Sequence, residues 1–131
     1  MDNTSENSAI EKLLSVYGEA LNASNVSKTV ALFTKDGINM PNGVPLAKGQ
    51  EQLKAAYEAL YKAFRLNVEY VTDEVIVNGE YAYARTNSRG NTLIHATGET
   101  ISVENKELFV LRKDNGQWKI SHYIFNNNKM R

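Results

Sequence analysis

The residues of this chain that could do chemistry concentrate in its C-terminal third. Glu107 alternates with Phe109 and Leu111, and this spacing of two predicts that all three side chains face the interior from one strand. A carboxylate that faces inward must be paired with a cation, neutral, or solvated in a cavity. Arg85 is the predicted partner, because Arg85 and Asn87 are expected on one face of the neighbouring strand. Three roles stay open: a structural ion pair, an anion-binding arginine, or a Glu107 carboxyl whose pKa is raised so that it donates a hydrogen bond.

His122 is the remaining candidate for a general acid or base. It alternates with Ile120 and Ile124 and is expected on the same face as Asn126. A histidine in that setting is either a core residue with satisfied ring nitrogens or a cavity residue that titrates near neutral pH. His95 falls in a predicted turn and is expected at the surface. With two histidines, no cysteine and no paired ligand spacing, the sequence predicts no metal site.

Length and charge limit the class of protein. The chain has 131 residues, with 15 Lys and Arg against 15 Asp and Glu and a formal net charge of zero. These values predict one domain that binds no nucleic acid. The sequence has no cysteine, no secretion signal and no apolar run of about 18 residues, so we expect a cytoplasmic protein that does not enter membranes. No glycine-rich phosphate loop or nucleophile elbow occurs, so no cofactor is predicted.

The first half of the chain has helical periodicity. Ser8 and Glu11 form a capping box that predicts the start of the first helix, with residues 1–7 flexible. Asn25 is the predicted cap of a second, short helix that extends to Phe33, and residues 35–37 are predicted as a turn. A third helix is predicted after Gly49. The inward positions of the first and third helices are Ile10, Leu13, Leu14, Tyr17, Leu21, Leu53, Ala56, Tyr57, Leu60, Tyr61 and Phe64.

The second half has the period of strands. A short hairpin at a sheet edge is predicted over residues 38–46, and four long strands joined by turns follow from residue 65. Which face of residues 94–104 is inward stays open, because a bulge would reverse it. The fold class is therefore α+β: three N-terminal helices packed on a curved, mainly antiparallel sheet that encloses a pocket. Residues 8–126 form the single predicted domain, followed by a polar tail over residues 127–131.

Two stretches give the chain a resemblance to a known superfamily. Residues 17–33, YGEALNASNVSKTVALF, and residues 106–126, KELFVLRKDNGQWKISHYIFN, are similar to the first helices and the last hairpin of nuclear-transport-factor-2-like (NTF2-like) proteins. Within this superfamily the chain resembles ketosteroid isomerases, SnoaL-like polyketide cyclases and an uncharacterised group related to them. Residues 82–87, AYARTN, are also similar to the association domain of calcium/calmodulin kinase. The resemblance implies a cone-shaped fold with a pocket, and a homodimer.

The resemblance also implies roles for individual residues. Ketosteroid isomerases use a helix-1 tyrosine and a protonated aspartic acid as an oxyanion hole, and a second aspartate as general base. Tyr17 falls at the tyrosine and Glu107 at the carboxyl. The base position falls at Met40, or at Pro41 with a shift of one residue, and neither side chain takes a proton. Tyr17 is therefore expected either to pack in the core or to line the pocket.

We therefore expect a protein that binds a small hydrophobic or aromatic ligand, without a cofactor. As an enzyme it would catalyse isomerisation, cyclisation or dehydration by proton transfer, with Tyr17, Glu107 and His122 as candidate catalytic residues. The alternative is a binding or association module without catalysis. The predicted ligand-binding residues are Phe33, Asn39, Met40, Tyr57, Tyr61, Arg85, Asn87, Phe109, Ile124 and Asn126. The dimer is expected to form through the outer sheet face, where Leu108, Val110, Tyr123 and Phe125 are predicted to lie.

Overall fold

A computed structural model describes residues 4–127 of the chain. The element order is α1 (Thr4–Asn22), α2 (Val26–Ala31), β1 (Phe33–Met40), β2 (Ala47–Lys48), α3 (Gly49–Ala63), β3 (Phe64–Asn78), β4 (Tyr81–Ile94), β5 (Thr100–Asp114) and β6 (Gln117–Asn127). The six strands form one sheet in the order β2-β1-β6-β5-β4-β3. Only the β1–β6 pair in this sheet is parallel. The predicted α+β class with a mainly antiparallel sheet is confirmed.

Helix α1 begins earlier than its capping box predicts. It starts at Thr4, so Ser8 and Glu11 lie inside the helix, and residues 4–7 belong to it. The physical reason is a tertiary contact, because Glu6 in the first turn accepts hydrogen bonds from Lys113 Nζ at 2.6 Å and from Trp118 Nε1 at 3.4 Å. Residues 1–3 of the predicted flexible segment and residues 128–131 of the predicted tail lie outside the described residues.

Helix α2 and strand β1 meet at a different place from the predicted one. The Asn25 side chain accepts a hydrogen bond from the Lys28 amide at 3.0 Å, which confirms the predicted cap. The helix ends at Ala31, however, and the strand already begins at Phe33. Residues 35–37, predicted as a turn, belong to β1. The cause is the parallel pairing of β1 with β6, which is irregular between Phe33 and Ile38 and is a long-range contact that local sequence does not reveal.

Helix α3 does not precede the sheet along the chain, since it lies between β2 and β3. Two helices, one of them short, therefore precede the sheet, and the third follows the first hairpin, which is the predicted order of these elements. The buried side chains of α1 and α3 pack against the sheet in one core cluster that includes Tyr17, Tyr57, Phe109 and Tyr123. We call the sheet face that contacts the helices the inner face, and the opposite one the outer face.

The long strands pair as hairpins with two local irregularities. One residue is added in β3, between Thr72 and Glu74, and one in β6, at Ser121. Gly90 in β4 has a φ of +157°, and a Cβ atom there would lie 2.0 Å from the Asn67 carbonyl oxygen. The close approach of β3 and β4 at this point therefore requires glycine.

Candidate functional site

The inner face of β4 carries small residues, and this corrects the predicted positions of Arg85 and Asn87. Ala84 and Thr86 are fully buried, whereas Arg85 and Asn87 are exposed on the outer face. Arg85 lies beside two acidic residues of β3, with Nε 3.2 Å from Glu74 and Nη1 3.6 Å from Asp73. The added residue in β3 brings both acids to this position. The predicted Arg85–Glu107 ion pair was therefore wrong, and neither Arg85 nor Asn87 faces the interior.

Glu107 does face inward, as its alternation predicts, and only 3% of it is exposed. Its two carboxylate oxygens accept hydrogen bonds from the hydroxyls of Thr86 and Ser88, each at 2.5 Å. Burial raises the pKa of the carboxyl from 4.5 to about 6, and these two hydrogen bonds limit the rise. Glu107 is therefore a buried acid that changes charge near neutral pH and has no cationic partner among residues 4–127.

The residue added at Ser121 reverses the predicted facing of the end of β6. Both Ile120 and Ser121 are buried, and from there on the alternation is displaced by one position. His122, Ile124 and Asn126 are consequently exposed and face away from the helices, so their predicted roles in catalysis and ligand binding are not supported. The same displacement turns two aromatic residues inward that were predicted on the outer face, Tyr123 and Phe125. Leu108 does lie on the outer face, as predicted, and 41% of it is exposed.

A cavity of about 520 Å³ opens between α1, α3, the β1–β2 loop and the inner sheet face. Its size is in the range of small-molecule sites. None of the side chains that the described residues contribute to its wall is charged or a histidine. The lining residues are Tyr17, Leu21, Asn39, Pro41, Val44, Pro45, Ala56, Tyr57, Ala59, Leu60, Phe64, Leu66, Val68, Tyr70, Ser88, Thr92, Val103, Asn105, Tyr123 and Phe125.

Four tyrosines contribute polar groups to this wall, beside Asn39, Ser88, Thr92 and Asn105. The Tyr17 and Tyr57 hydroxyls are 2.6 Å apart, and Asn39 Nδ2 donates to the Tyr57 oxygen at 3.2 Å. The Tyr70 and Tyr123 hydroxyls are 3.2 Å apart. Burial raises the pKa of each of the four phenols far above its usual value, and the nearby Glu107 charge contributes at Tyr70 and Tyr123. All four are therefore neutral at physiological pH and donate hydrogen bonds, but none can act as a base.

Four other predicted wall residues are outside the cavity lining. Phe109 is fully buried and stacks on the Tyr123 ring, with centroids 4.4 Å apart. Phe33 packs against Tyr17, and the Tyr61 hydroxyl bonds the Thr29 hydroxyl at 2.8 Å, which ties α3 to α2. Met40 is half-buried, while its neighbours on either side in sequence line the cavity. Phe33, Tyr61 and Phe109 belong to the buried core cluster that adjoins the wall.

Several cavity residues were missed in the sequence. Tyr70 alternates with Leu66 and Val68 on a predicted strand, so the signal for an inward phenol was present. Ser88 has no such signal, because neither face of β4 is clearly apolar. In the segment left open, residues 94–104, Val103 lines the cavity, and so does Asn105 just after it.

Other kinds of site find little support in the described part of the chain. Within residues 4–127, no three carboxylate or imidazole groups lie close enough together to hold a metal ion. Across the same residues, no helix combines the length and the apolar character that a membrane span needs.

Solved structures with the same fold include proteins of several kinds. A ketosteroid isomerase-like protein from Erwinia carotovora atroseptica SCRI1043 is 27% identical, with a TM-score of 0.92 and coverage of 97% of this chain and 99% of that chain. A putative scytalone dehydratase from Novosphingobium aromaticivorans DSM 12444 is 19% identical, with a TM-score of 0.83 over 97% and 87% of the two chains. A putative calcium/calmodulin dependent protein kinase II association domain from Xanthomonas campestris is 17% identical, with a TM-score of 0.77 over 93% and 87%.

These similarities establish an NTF2-like fold, as the resemblance implied. No curated protein matches the chain in sequence. The model of one family does match it, over residues 2–124, which is nearly the whole chain. The chain therefore belongs to the SnoaL-like domain family.

Proposed function

We propose that this protein binds a small, uncharged, hydrophobic ring compound that carries a carbonyl oxygen. The observation that carries the proposal is the cavity of about 520 Å³, whose wall is apolar except for neutral hydroxyl and amide groups. A charged ligand would lose its hydration there without gaining a counter-ion. We place this binding in the cytoplasm, because the cysteine-free sequence suits a reducing compartment.

The Tyr17–Tyr57 pair is the proposed donor to the carbonyl oxygen. Both tyrosines line the cavity, and burial keeps both hydroxyls protonated by raising their pKa values. The two phenols share one hydrogen bond, so one of their two protons is left for a ligand. A ketone oxygen accepts a hydrogen bond and offers no competing donor, and it therefore fits this end of the cavity.

Isothermal titration with three bicyclic probes tests the proposal. Beta-tetralone is a neutral ketone, tetralin lacks the oxygen, and beta-naphthoate is an anion of similar size. We expect beta-tetralone to bind more tightly than either of the others. The double variant Tyr17→Phe/Tyr57→Phe removes both hydroxyls and should weaken beta-tetralone by about tenfold, while tetralin is unaffected.

The matched control is Tyr81→Phe/Tyr83→Phe, since these two tyrosines are exposed on the outer face. This control also removes two phenolic hydroxyls, but from outside the cavity, and it should leave the affinity for each of the three probes unchanged. Binding of beta-naphthoate as tight as that of beta-tetralone would contradict the proposal, as would equal affinity for tetralin.

A second candidate function is enolisation of the bound carbonyl compound, and the Ser88–Glu107 contact favours it. Ser88 lines the cavity and donates its proton to the ionised Glu107 carboxylate. A proton removed from the carbon beside the carbonyl would pass to Ser88 Oγ while the serine proton moves to Glu107. The enolate oxygen formed, two bonds from that carbon, would accept the phenolic hydrogen bond. Isomerisation, aldol cyclisation and dehydration all begin with such a step.

Deuterium exchange into beta-tetralone, followed by proton NMR, tests this second function. The exchange rate should rise as the pH passes through the Glu107 pKa of about 6, because only the carboxylate accepts a proton. Glu107→Gln should abolish the protein-dependent rate, whereas Glu104→Gln, an exposed site on the same strand, should not. Exchange that is unchanged in Glu107→Gln would exclude this relay and leave the binding function standing.

We also propose a homodimer through the outer sheet face. Leu108 and Ile124 are neighbours there and are 41% and 42% exposed, and Tyr83 lies opposite Val110, two residues along β5 from Leu108. Apolar side chains grouped in this way are typical of interfaces. Light scattering after size exclusion should give twice the mass of one chain, and Leu108→Lys/Ile124→Lys should give a folded monomer. A monomeric wild-type protein at high micromolar concentration would contradict the dimer.

A further inference from the structure

Three polar side chains lie in one row across the inner sheet face. Tyr70 of β3 is opposite Ser88 of β4, and Ser88 is opposite Asn105 of β5. All three residues line the cavity. The Tyr70 hydroxyl is already bonded to the Tyr123 hydroxyl, and the Ser88 hydroxyl donates to Glu107. Asn105 is therefore the member of this row whose side chain is still available to a ligand.

The side-chain amide of Asn105 has no hydrogen-bond partner among residues 4–127. It is accessible, because the one atom in this part of the chain that is both fully buried and unpartnered belongs to Asn39. The adjacent row on the same sheet face consists of Val68, Gly90 and Val103, so the amide lies beside an apolar stretch of the wall. A purely apolar ligand that covers this stretch would remove water from the amide and leave it unpaired, which weakens binding.

We propose that the ligand carries a hydroxyl group in addition to its carbonyl oxygen, and that Asn105 recognises this hydroxyl. The inference rests on the proposed binding function and narrows its ligand class from carbonyl compounds in general to hydroxylated ones. A hydroxyl matches Asn105 in either orientation of the amide, because it can donate to Oδ1 or accept from Nδ2. A carboxylate or phosphate is disfavoured, because the Glu107 carboxylate lies two residues away on the same face of β5.

Derivatives of beta-tetralone test the inference by isothermal titration. At each of the four free positions of its aromatic ring, a hydroxyl derivative is compared with the methyl derivative, which has nearly the same size but forms no hydrogen bond. At one or more positions we expect the hydroxyl derivative to bind the wild-type protein about tenfold more tightly than its methyl counterpart. At positions that do not reach Asn105, the methyl derivative should bind more tightly, because the wall there is apolar.

The variant Asn105→Leu tests whether this residue recognises the hydroxyl. Leucine has a similar size but no hydrogen-bonding group, so the preference for the hydroxyl derivative should be lost or reversed. The affinity for beta-tetralone itself should not fall. The control Asn91→Leu changes an exposed asparagine of β4 and should keep the preference. If Asn105→Leu does not fold, Asn105→Ala, which introduces no larger group, serves the same comparison.

The outcomes separate the inference from the function on which it rests. Equal or tighter binding of the methyl derivative at all four positions overturns the inference and leaves carbonyl binding intact. The same holds if the hydroxyl preference persists in the variants of Asn105. Failure of beta-tetralone and of all its derivatives to bind the wild-type protein overturns the proposed binding function together with the inference.

Discussion

The buried carboxyl of Glu107 should make the stability of the folded protein depend on pH. Its pKa rises from 4.5 to about 6 on folding, because the carboxyl is taken out of water. Between pH 4.5 and about pH 6, Glu107 therefore keeps its proton in the folded protein, whereas the unfolded chain has released it. Stability from this group is fully present below pH 4.5 and is lost as the pH rises through about 6. At ~1.4 kcal/mol for each pH unit, the loss amounts to about 2 kcal/mol.

The variant Glu107→Gln isolates this contribution, since glutamine stays neutral at every pH. Urea unfolding of the variant and the wild type at constant salt, from pH 4.5 to 8, gives the difference in their free energies of unfolding. We expect this difference to move by about 2 kcal/mol in favour of the variant as the pH rises. Glu104→Gln, at an exposed position of β5, should show no comparable trend. A difference that does not vary with pH, or that moves in favour of the wild type as the pH rises, would refute the reasoning.

Three other substitutions test the fold by their effect on urea unfolding. Gly90→Ala should cost about 3 kcal/mol or more, because its Cβ would lie 2.0 Å from the Asn67 oxygen, and a cost under about 1 kcal/mol would contradict this contact. Arg85→Met should change stability by less than about 1 kcal/mol, since the arginine is 55% exposed, and a larger loss would point to a buried pair. Asn22→Ala removes hydrogen bonds of 2.9 Å to both the amide and the carbonyl of Val68 and should cost about 2 kcal/mol, while a neutral result would show that β3 does not need this contact.

The helices and the hairpins could be predicted from sequence because their signals are local. The spacing of Ile10, Leu14 and Tyr17 specifies one face of a helix, and Asn78 with Gly79 specifies a turn. The fold class follows from the order of these elements. Helix α1 begins before the predicted residue because Glu6 finds partners on distant strands, which no local pattern shows.

The facing of β4 could not be predicted because neither of its sides is clearly apolar. The inward set is Ala82, Ala84, Thr86 and Ser88, and the outward set includes two tyrosines and two arginines. Small residues face inward here because the space beside them is filled by large side chains such as Tyr70 and Phe109. Hydrophobicity alone therefore does not identify the inward side, and the inward position of Glu107 favoured the prediction of an inward Arg85 as its partner.

The prediction of the candidate site was wrong at a second position, His122, for a different reason. Inward and outward side chains alternate regularly along β6 as far as Ile120. The prediction that His122 also faces inward assumed a strand without an added residue. The bulge at Ser121 carries no sequence signal such as glycine, and it exchanges a predicted histidine for a tyrosine at the cavity wall.

The bulge in β6 also bears on how relatives of this chain should be aligned. Ser121 is the extra residue, and the ladder on both sides of it keeps Ile120 opposite Leu111 and Tyr123 opposite Phe109. A homologue that lacks the residue equivalent to Ser121 would keep the counterparts of Ile120 and Tyr123 on the inner face. Its sequence would have one residue fewer between those two positions. An ungapped alignment of the last strand would then pair the cavity residues of one protein with the outer residues of the other. Conservation at the site would be visible only after a gap is placed at Ser121.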